Sequence, residues 1–244
     1  MTKPSLTIFM PAYNEAGKIR DACESTIRAV KNAGISDYEI FLSTVTSPDG
    51  THDGTPDIAK QIAQENPRVR SLHTRGFYGL GSKYREALRE STKDYIMMVP
   101  GDNDTIEESL VGILDHLGES EAIVVYTANP KARPFRLRFV SKCFVILCNV
   151  LFGLRMKYYN GMNIFPVKLV RTIPVSADNP AYMAEILIYL LKSGIRYIEV
   201  PQELRNTPYA GKTFRFKSAV KAFGTLCSLF WRINIKRERI KLSF

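Results

Sequence analysis

Clustered cysteines and metal-ligating histidines are missing from this 244-residue chain. Its four cysteines, Cys23, Cys143, Cys148 and Cys227, form no CxxC pair, and no Cys/His cluster has the spacing of zinc ligands. We interpret the cysteines as buried thiols of a protein in a reducing compartment. A zinc finger and a disulfide scaffold are therefore not expected.

Long apolar runs are missing as well. A helix that spans a bilayer needs about 20 apolar residues, and the longest runs, CFVILCNVLFGL and AFGTLCSLFW, are much shorter. The N-terminal stretch MTKPSLTIFMPAYNE has no apolar core of signal-peptide length before Pro11 and Asn14. The sequence thus predicts a cytoplasmic protein whose membrane contact, if it has any, is peripheral on the cytoplasmic face.

Basic charge is abundant. Lys and Arg number 34 against 24 for Asp and Glu, which gives a formal charge of +10, and the 45% hydrophobic content is enough for a sizeable core. Such an excess suits an anionic partner, which could be a nucleotide phosphate, a nucleic acid or an acidic membrane surface. No nucleic-acid-binding motif is present, so a nucleic acid is not an expected partner.

Apolar runs and helical patterns alternate along the first half of the chain, which is typical of an α/β fold with a parallel sheet covered on both faces. Such sheets bind ligands at the carboxyl ends of their strands. Three loops rich in polar residues, PAYNE, SPDGTHDGT and GDND, follow predicted strands. The predicted strands cover residues 6–10, 38–45, 69–73, 94–99 and 122–126.

The second half contains two segments in which basic residues flank about three turns of apolar helix. They are RPFRLRFVSKCFVILCNVLFGLRMK and FKSAVKAFGTLCSLFWRINIKRERIK. Helices of this kind lie in a membrane interface, and Trp231 stands where interfacial anchors stand. Alternatively, the two segments pack on each other or in a homodimer. We predict one domain over residues 1–215 and a C-terminal apolar helix with a basic tail over 216–244, packed on that domain or at a membrane surface.

The order of the loops resembles that of family 2 glycosyltransferases with the GT-A fold, and among them the polyprenyl-phosphate enzymes similar to dolichol-phosphate mannose synthase. The resemblance extends from Leu6 to about Lys217. It implies a GT-A (Rossmann-like), mostly parallel sheet flanked by helices, with amphipathic helical elements at the C-terminal end. The motifs that carry it are MPAYNEAGKI, PDGTHDGT, GLGSKY, YIMMVPGDND and EVPQELRNTPYAGKTF.

The first loop is similar to the first nucleotide-contacting loop of that family, in which Pro11, Ala12, Tyr13 and Glu15 would bind the nucleotide sugar. Tyr13 offers a ring face to the base, and Glu15 offers an acceptor to the ribose hydroxyls. The alternative is that Asn14 and Glu15 only begin the next helix.

The second loop departs from the family's DDGS sequence because Pro48 replaces the first acid. The resemblance leaves Asp49 to accept a hydrogen bond from the base or ribose, and Asp53 to brace the loop. Asp-Gly pairs also form ordinary turns, so a purely structural turn is the alternative.

The third loop predicts a metal site. The family's DxD motif matches Pro100 and Asp102 in one register and Asp102 and Asp104 in the other. We therefore predict Asp102 as the first metal ligand, which also contacts the nucleotide sugar and is catalytic, and Asp104 as the second ligand. Carboxylates at a strand end suit Mg²⁺ or Mn²⁺, which prefer oxygen ligands. The alternative is that the acids cap a helix that begins near Ile106.

Basic residues in two further loops are candidates for holding phosphate. Lys83, with Arg75, lies beside a glycine-rich helix start suited to a phosphate, although that loop is neither a Walker loop nor GxGxxG. Arg205 and Lys212 lie in the last matching region, where they would clamp the donor diphosphate or an acceptor phosphate. A tight turn and a solvated basic loop are the respective alternatives.

Glu185 lies among apolar residues in the predicted helix MAEILIYLL. Burial makes a carboxylate a stronger base, and in the family an acid at this position faces the acceptor. We predict Glu185 as the catalytic base for a hydroxyl acceptor, whereas an ionised phosphate acceptor needs none. Lys157 and Asn163 replace an Asp and an Arg of lipid-phosphate mannosyl enzymes, which leaves the donor sugar and the acceptor open.

The resemblance therefore implies an inverting, metal-dependent glycosyltransferase. It would transfer a sugar from a nucleoside-diphosphate sugar to a polyprenyl-phosphate or other membrane-associated acceptor. One alternative is the same transfer to a hydroxyl of a saccharide or small molecule. The other is a non-catalytic sugar-nucleotide-binding scaffold, because Pro48 and Pro100 replace two family acids.

Overall fold

Near-continuous apolar strands and amphipathic helices assemble into a central sheet with helices on both faces. The structure is a computed structural model that describes residues 3–76, 78–205 and 216–238, with side chains except at 216–220. The strands in these residues are β1 (Leu6–Ala12), β2 (Tyr38–Val45), β3 (Val69–Thr74), β4 (Tyr95–Met98), β5 (Ala122–Thr127), β6 (Ile164–Pro166) and β7 (Tyr197–Gln202).

The helices connect the strands and cover both faces. A 3₁₀ turn at Pro130–Ala132 precedes α5, and a π-helical turn at Trp231–Ile235 continues α8. The helices in the described residues are α1 (Ile19–Asn32), α2 (Thr55–Glu65), α3 (Leu80–Glu90), α4 (Glu107–Asp115), α5 (Phe135–Phe152), α6 (Val167–Val170), α7 (Tyr182–Lys192) and α8 (Phe216–Phe230).

The strand order is β3-β2-β1-β4-β6-β5-β7, and among the described strands only the short β6 runs antiparallel to its neighbours. In register, Ile8 of β1 lies beside Ile40 of β2 and Met97 of β4. The α/β fold with a mostly parallel sheet is therefore confirmed. The antiparallel β6 was not predicted, because three residues are too few to show a strand pattern.

The two faces of the sheet hold two hydrophobic clusters. Ile8 and Met10 of β1 point into the cluster formed with α1, α2 and α4, whereas Phe9 points into the cluster formed with α3, α5, α7 and α8. Leu226 and Ile233 of the C-terminal segment are buried in the second cluster. The predicted boundary at residue 215 lies outside the described residues, but α8 itself packs on the same core.

Gly54 is the N-cap of α2, with a left-handed φ of 99° that suits glycine, and Thr55 begins the helix. The prediction for the cysteines is only partly confirmed. The thiols were expected to be buried, but Cys143 and Cys227 are exposed, because they lie on outward faces of α5 and α8. In the described part of the chain, no helix combines the length and apolarity needed to cross a membrane.

Gly81 and Gly112 provide a matched test of backbone packing, since both lie inside helices. A Cβ on Gly81 would collide with the backbone carbonyl of Ala177, whereas a Cβ on Gly112 would meet nothing. We expect Gly81→Ala to lower the free energy of unfolding by about 1–3 kcal/mol through overpacking. Gly112→Ala should raise it by about 0.5–1 kcal/mol. Urea unfolding of both variants measures this, and equal effects would contradict the close approach at Gly81.

Candidate active site

The loops after β1 and β2 are joined by hydrogen bonds, because these strands are neighbours in the sheet and both end at the same edge. The Tyr13 hydroxyl lies 3.0 Å from Ser47 Oγ. The backbone N–H of Glu15 donates to Thr55 Oγ1 at 2.8 Å. The structure thus brings the first predicted nucleotide loop against the second, and Tyr13 lies partly exposed where the two meet.

Asp53 links the same two loops from within. Its carboxylate accepts from the backbone N–H of Ala16 at 3.0 Å and from both the N–H and the hydroxyl of Thr55. Partial burial alone would raise the pKa of Asp53, but the hydrogen bonds from Thr55 and Ala16 outweigh it and hold the pKa below its usual value. These contacts match the bracing role predicted for Asp53.

Asp49 lies at the exposed tip of the second loop. Its Oδ1 accepts from the Thr51 hydroxyl at 2.7 Å and from the Thr51 N–H at 3.0 Å. The hydroxyl contact, followed by the N–H contact, lowers the pKa of Asp49 below its usual value. The Asp49 carboxylate is therefore ionised at neutral pH, and Thr51 fixes its orientation at the tip of the loop. An ionised carboxylate in this position can accept a hydrogen bond from a ligand hydroxyl or N–H.

The acidic loop after β4 lies against the first loop. The N–H of Gly101 donates to the carbonyl oxygen of Pro11 at 3.1 Å. Asn103 adopts a left-handed φ of 55°, and the N–H of Asp104 donates to Asp102 Oδ1 at 3.3 Å. Lys18 Nζ lies 3.8 Å from Asp104 Oδ1.

The acids of this loop do not cap the following helix. The N-cap of α4 is Ile106, and no side chain in the described part of the chain caps that helix with a hydrogen bond. The capping alternative for Asp102 and Asp104 is therefore wrong. The left-handed residue between them turns the loop so that both acids line one cavity.

This cavity has a volume of about 400 Å³ and lies at the carboxyl end of the sheet. Asp102 and Asp104 form its acidic part, and Arg133 and Arg205 also line it. The remainder of the wall includes the aromatic ring of Tyr158. A cavity of this size is within the range of small-molecule sites, and its wall contains two acids and two arginines.

Two segments bring the guanidinium groups to the cavity. The N–H of Arg205 donates to the Asp104 carbonyl at 2.8 Å, which ties the end of β7 to the acidic loop. The buried Nε of Arg205 has no hydrogen-bond partner among the described atoms. Arg133 Nη1 donates to the Tyr158 hydroxyl at 3.0 Å. The prediction for Lys212 falls outside the described residues.

The residues present fit a divalent cation. The described residues contain no group of three or more His, Cys, Asp or Glu side chains that could hold a metal alone. Mg²⁺ and Mn²⁺ are commonly held by one or two carboxylates together with substrate phosphates. Asp102 and Asp104 supply those hard oxygen donors at the cavity wall, so a metal there would depend on the bound diphosphate to complete its coordination.

Lys83 does not line this cavity in the described structure. Its ammonium is buried, donates to Thr74 Oγ1 at 2.7 Å and forms an ion pair with Glu86. A backbone N–H at the start of α3 is also already paired within the protein, because the N–H of Gly81 donates to the Asp178 carbonyl at 3.1 Å. These contacts support the tight-turn alternative for this region, and diphosphate binding by Lys83 stays a prediction.

Glu185 is held by protein donors and does not line the cavity. It is 1% exposed, and its Oε2 accepts the N–H groups of Ser176 and Ala177 at 3.0 and 2.9 Å. Its Oε1 accepts from the Ser176 hydroxyl at 3.0 Å and from Arg232 Nη1 at 2.9 Å. The structure therefore does not bring Glu185 to Asp102, and its contacts favour a structural role.

The cavity residues that sequence reasoning missed include Arg133, Tyr158 and Asn160. The first belongs to a segment interpreted only as a flank of an apolar helix, and the other two belong to a stretch noted only for its departures from the family. One signal could have identified them, because residues 122–177 contain nine Lys or Arg and no Asp or Glu. A long acid-free segment next to an acidic loop is a reason to look for an anion site.

Comparison with known families places this geometry in context. Residues 7–169 match the family described as Glycosyl transferase family 2. Among curated relatives, the Haloferax volcanii protein "Glycosyltransferase AglD" is 26% identical over 116 residues, which cover 48% of this chain and 18% of that protein. The Trichomonas vaginalis protein "Dolichyl-phosphate beta-glucosyltransferase ALG5A" is 20% identical over 210 residues, covering 81% of this chain and 65% of that protein. The chain thus spans less than two thirds of either relative.

Solved structures share the fold. Glucosyl-3-phosphoglycerate synthase from Mycobacterium tuberculosis, in complex with Mn²⁺, uridine diphosphate and phosphoglyceric acid, superposes with a TM-score of 0.69 at 16% identity, covering 93% of this chain and 78% of that chain. Mannosyl-3-phosphoglycerate synthase from Rubrobacter xylanophilus gives a TM-score of 0.67 at 13% identity, and the match covers 99% of this chain and 77% of that chain. The expected GT-A-like architecture is therefore confirmed.

The contacts of Glu185 lead to a stability prediction. Glu185→Gln keeps the shape but removes the charge that accepts from Arg232 and two backbone N–H groups, so we expect the free energy of unfolding to fall by about 2–4 kcal/mol. Glu65→Gln breaks the exposed pair with Arg20 and should change stability little. Thermal and urea unfolding measure both. Wild-type stability in Glu185→Gln would contradict the structural role.

Proposed function

The chain belongs to glycosyl transferase family 2, and we propose that it transfers a sugar from a nucleoside-diphosphate sugar to a polyprenyl-phosphate acceptor, with a divalent metal. The observation that carries this proposal is the cavity in which Asp102 and Asp104 share a wall with Arg133 and Arg205. The acids suit a metal-bound diphosphate, and the guanidinium groups suit a second anion. Two anions would thus meet in one small space.

The donor would lie along the three adjacent loops. Tyr13 offers a ring for the base, and Asp49 and Glu15 offer acceptors for the base or ribose. Pro11 and Ala12 form the end of β1, close enough to the acidic loop for a nucleotide to reach from one to the other. Mg²⁺ or Mn²⁺, when bound by Asp102 and Asp104, would neutralise charge on the diphosphate and make it a better leaving group.

The acceptor is inferred from what the cavity offers as a base. Among the described residues of its wall, the only carboxylates are Asp102 and Asp104, and no histidine is present. A hydroxyl acceptor would need a group to take its proton, whereas a phosphate is already ionised. Arg133 and Arg205 would hold and orient that phosphate.

The proposed transfer needs no proton movement. A phosphate oxygen of the acceptor attacks C1 of the sugar and forms the new C–O bond, while the bond from C1 to the diphosphate oxygen breaks and its electron pair leaves with the nucleoside diphosphate. The configuration at C1 inverts because attack and departure are in line. The protein contributes by holding two anions at the correct distance and orientation.

Two alternatives lead to different results. Transfer to a hydroxyl would need a base, for which Glu185 was predicted. A non-catalytic binding scaffold would bind donors without consuming them. We would incubate the protein with a panel of nucleotide sugars, Mg²⁺ or Mn²⁺, and either a short-chain polyprenyl phosphate or the corresponding polyprenol. Transfer only to the phosphate supports the proposal, transfer to the alcohol supports the hydroxyl alternative, and donor binding without product supports the scaffold.

The acidic loop predicts a graded effect of two substitutions. Asp102→Asn should reduce metal-dependent turnover by about 10²-fold or more, since it removes the ligand common to both registers, and Asp104→Asn should reduce it less. Steady-state rates over a Mn²⁺ titration measure this.

The matched control for these variants is Asp115→Asn, which removes an acid that pairs with Lys3 at the exposed end of α4. It should leave turnover unchanged. Full activity of Asp102→Asn with a wild-type metal response would exclude Asp102 as a ligand, provided that both variants keep the wild-type circular dichroism spectrum.

The second loop predicts an effect on donor binding. Asp49→Ala removes the carboxylate fixed by Thr51, so the KM for the donor should rise by about tenfold while kcat falls less. Asp57→Ala is the control, because Asp57 is an exposed acid in the first turn of the neighbouring α2. Titration calorimetry with the nucleoside diphosphate checks the assignment, and an unchanged affinity in Asp49→Ala would contradict it.

A further inference from the structure

Two adjacent helices expose apolar side chains to solvent. On α5, positions 135, 139, 143, 146 and 150 fall on one face at 3.6 residues per turn. Phe135 is 70% exposed and Val150 is 75% exposed, and the three residues between them on this face are exposed as well. An exposed helical stripe of this kind marks an interaction surface when it belongs to a larger patch.

The C-terminal helix continues this pattern. Phe223, Cys227 and Trp231 lie four residues apart and are exposed, whereas Leu226 and Ile233 face the core. The two helices touch, because the rings of Phe152 and Phe230 pack 6.3 Å apart and the Asn234 side chain donates to the Leu151 carbonyl at 3.2 Å. Together they expose the residues that we call the apolar stripes: Phe135, Phe139, Cys143, Ile146, Val150, Phe223, Cys227 and Trp231.

The charge of the chain is concentrated in the same segments. Residues 122–177 contain nine Lys or Arg, residues 204–237 contain eight, and neither segment contains Asp or Glu. The rest of the chain carries 17 basic and 24 acidic residues, so these two segments account for the whole excess of +10. Exposed members flank the apolar stripes, and they include Lys131, Arg136, Lys142, Lys221, Lys236 and Arg237.

We propose that the apolar stripes and their basic flanks form a docking surface for a bilayer that contains anionic lipid. Apolar side chains would enter the interface, and the basic side chains would pair with headgroups, each contributing through the negative surface potential. The absence of Asp and Glu from both segments is the main argument for a membrane. A protein partner of ordinary composition carries charges of both signs and would be complemented by a surface of mixed charge, whereas an anionic membrane is complemented by a surface that carries only positive charge.

The surface is continuous with the candidate active site through α5. Leu137 and Ser141 line the cavity from one side of this helix, and Phe135 and Phe139 are exposed on another. Docking α5 on a membrane would therefore place the cavity next to lipid headgroups. Only this last step rests on the proposed transfer function, because the surface itself follows from exposure and charge.

Trp231 makes the test direct, since it is the only Trp in the chain and lies in the apolar stripes. The wild-type protein would be mixed with phosphatidylcholine vesicles, with or without phosphatidylglycerol, without donor or acceptor. We expect a blue shift of Trp emission, quenching by brominated acyl chains, and co-flotation with the anionic vesicles that is lost at high salt. No binding to anionic vesicles at low salt overturns the proposal.

Paired variants identify the surface. Phe135→Ser/Phe139→Ser should weaken vesicle partitioning about tenfold or more, and Arg136→Gln/Lys142→Gln should weaken it about thirtyfold. The control Lys31→Gln/Lys60→Gln removes the same charge from exposed positions on α1 and α2 and should have a small effect. Equal loss in the charge variant and its control would overturn the proposal, because net charge alone would then explain binding.

Two further outcomes separate the competing explanations. If sedimentation shows a dimer that Phe135→Ser/Phe139→Ser dissociates, and vesicles do not bind, a second copy covers the surface and the proposal is wrong. If vesicles bind as expected but no nucleotide sugar is consumed, the docking surface stands and the proposed transfer function fails. Circular dichroism of each variant excludes unfolding as the cause of lost binding.

Discussion

The pairing of β1 with β2 on one side and with β4 on the other is the constraint on which the candidate site depends. Because all three strands are parallel, the loops that follow them begin at the same edge of the sheet, and the loop after β1 lies between the other two. Tyr13, Asp49 and Asp102 are separated by tens of residues in the chain, and this pairing brings the loops that carry them to the same edge of the sheet. The contacts from Tyr13 to Ser47 and from Gly101 to Pro11 are consequences of it.

A second constraint acts on the segment that leads into α7. The Glu185 carboxylate holds the backbone of residues 176–177, and Arg232 from the C-terminal segment completes that contact and also donates to the Pro174 carbonyl at 2.9 Å. The adjoining residues 177 and 178 pack against Gly79 and Gly81 at the start of α3, and Pro180 shortly after them lines the cavity. The C-terminal helix, the start of α3 and the cavity are therefore tied to one short segment.

The sequence was sufficient for the strands β1 to β5 and for the position of the acidic loop after β4, because these depend on local patterns. Continuous apolar runs ending in polar loops identify parallel strands, and an acid after such a run reaches the carboxyl edge wherever the strand lies in the sheet. The predicted bounds of β2 were correct, since its β-branched and aromatic residues are followed and preceded by turn-forming residues. The resemblance to the family rested on the order of the five motifs, because no single motif established it.

Tertiary partners were not available from the sequence. Glu185 among apolar residues looks the same whether it faces a substrate or an arginine 47 positions later, and only the folded chain reveals Arg232. Lys83 next to glycines suggested a phosphate, but Glu86 and Thr74 occupy its ammonium. Burial was recognised from the sequence for Glu185 but not for Lys83. The protein partners of both side chains were not predicted, because the choice between a protein partner and a ligand depends on the folded chain. The binding role of Lys83 and the catalytic role of Glu185 stay predictions.

The cavity wall carries opposite charges, with the acids Asp102 and Asp104 in one part and the arginines Arg133 and Arg205 in another. An acidic loop beside a basic, acid-free segment would close the cavity if its acids paired directly with the guanidinium groups. The structure avoids this by giving Asp104 a neighbouring Lys18 and giving Arg133 the hydroxyl of Tyr158. The side chains are thus held apart around about 400 Å³ of open volume, and an anionic ligand pair with its cation is the chemistry that balances such a wall.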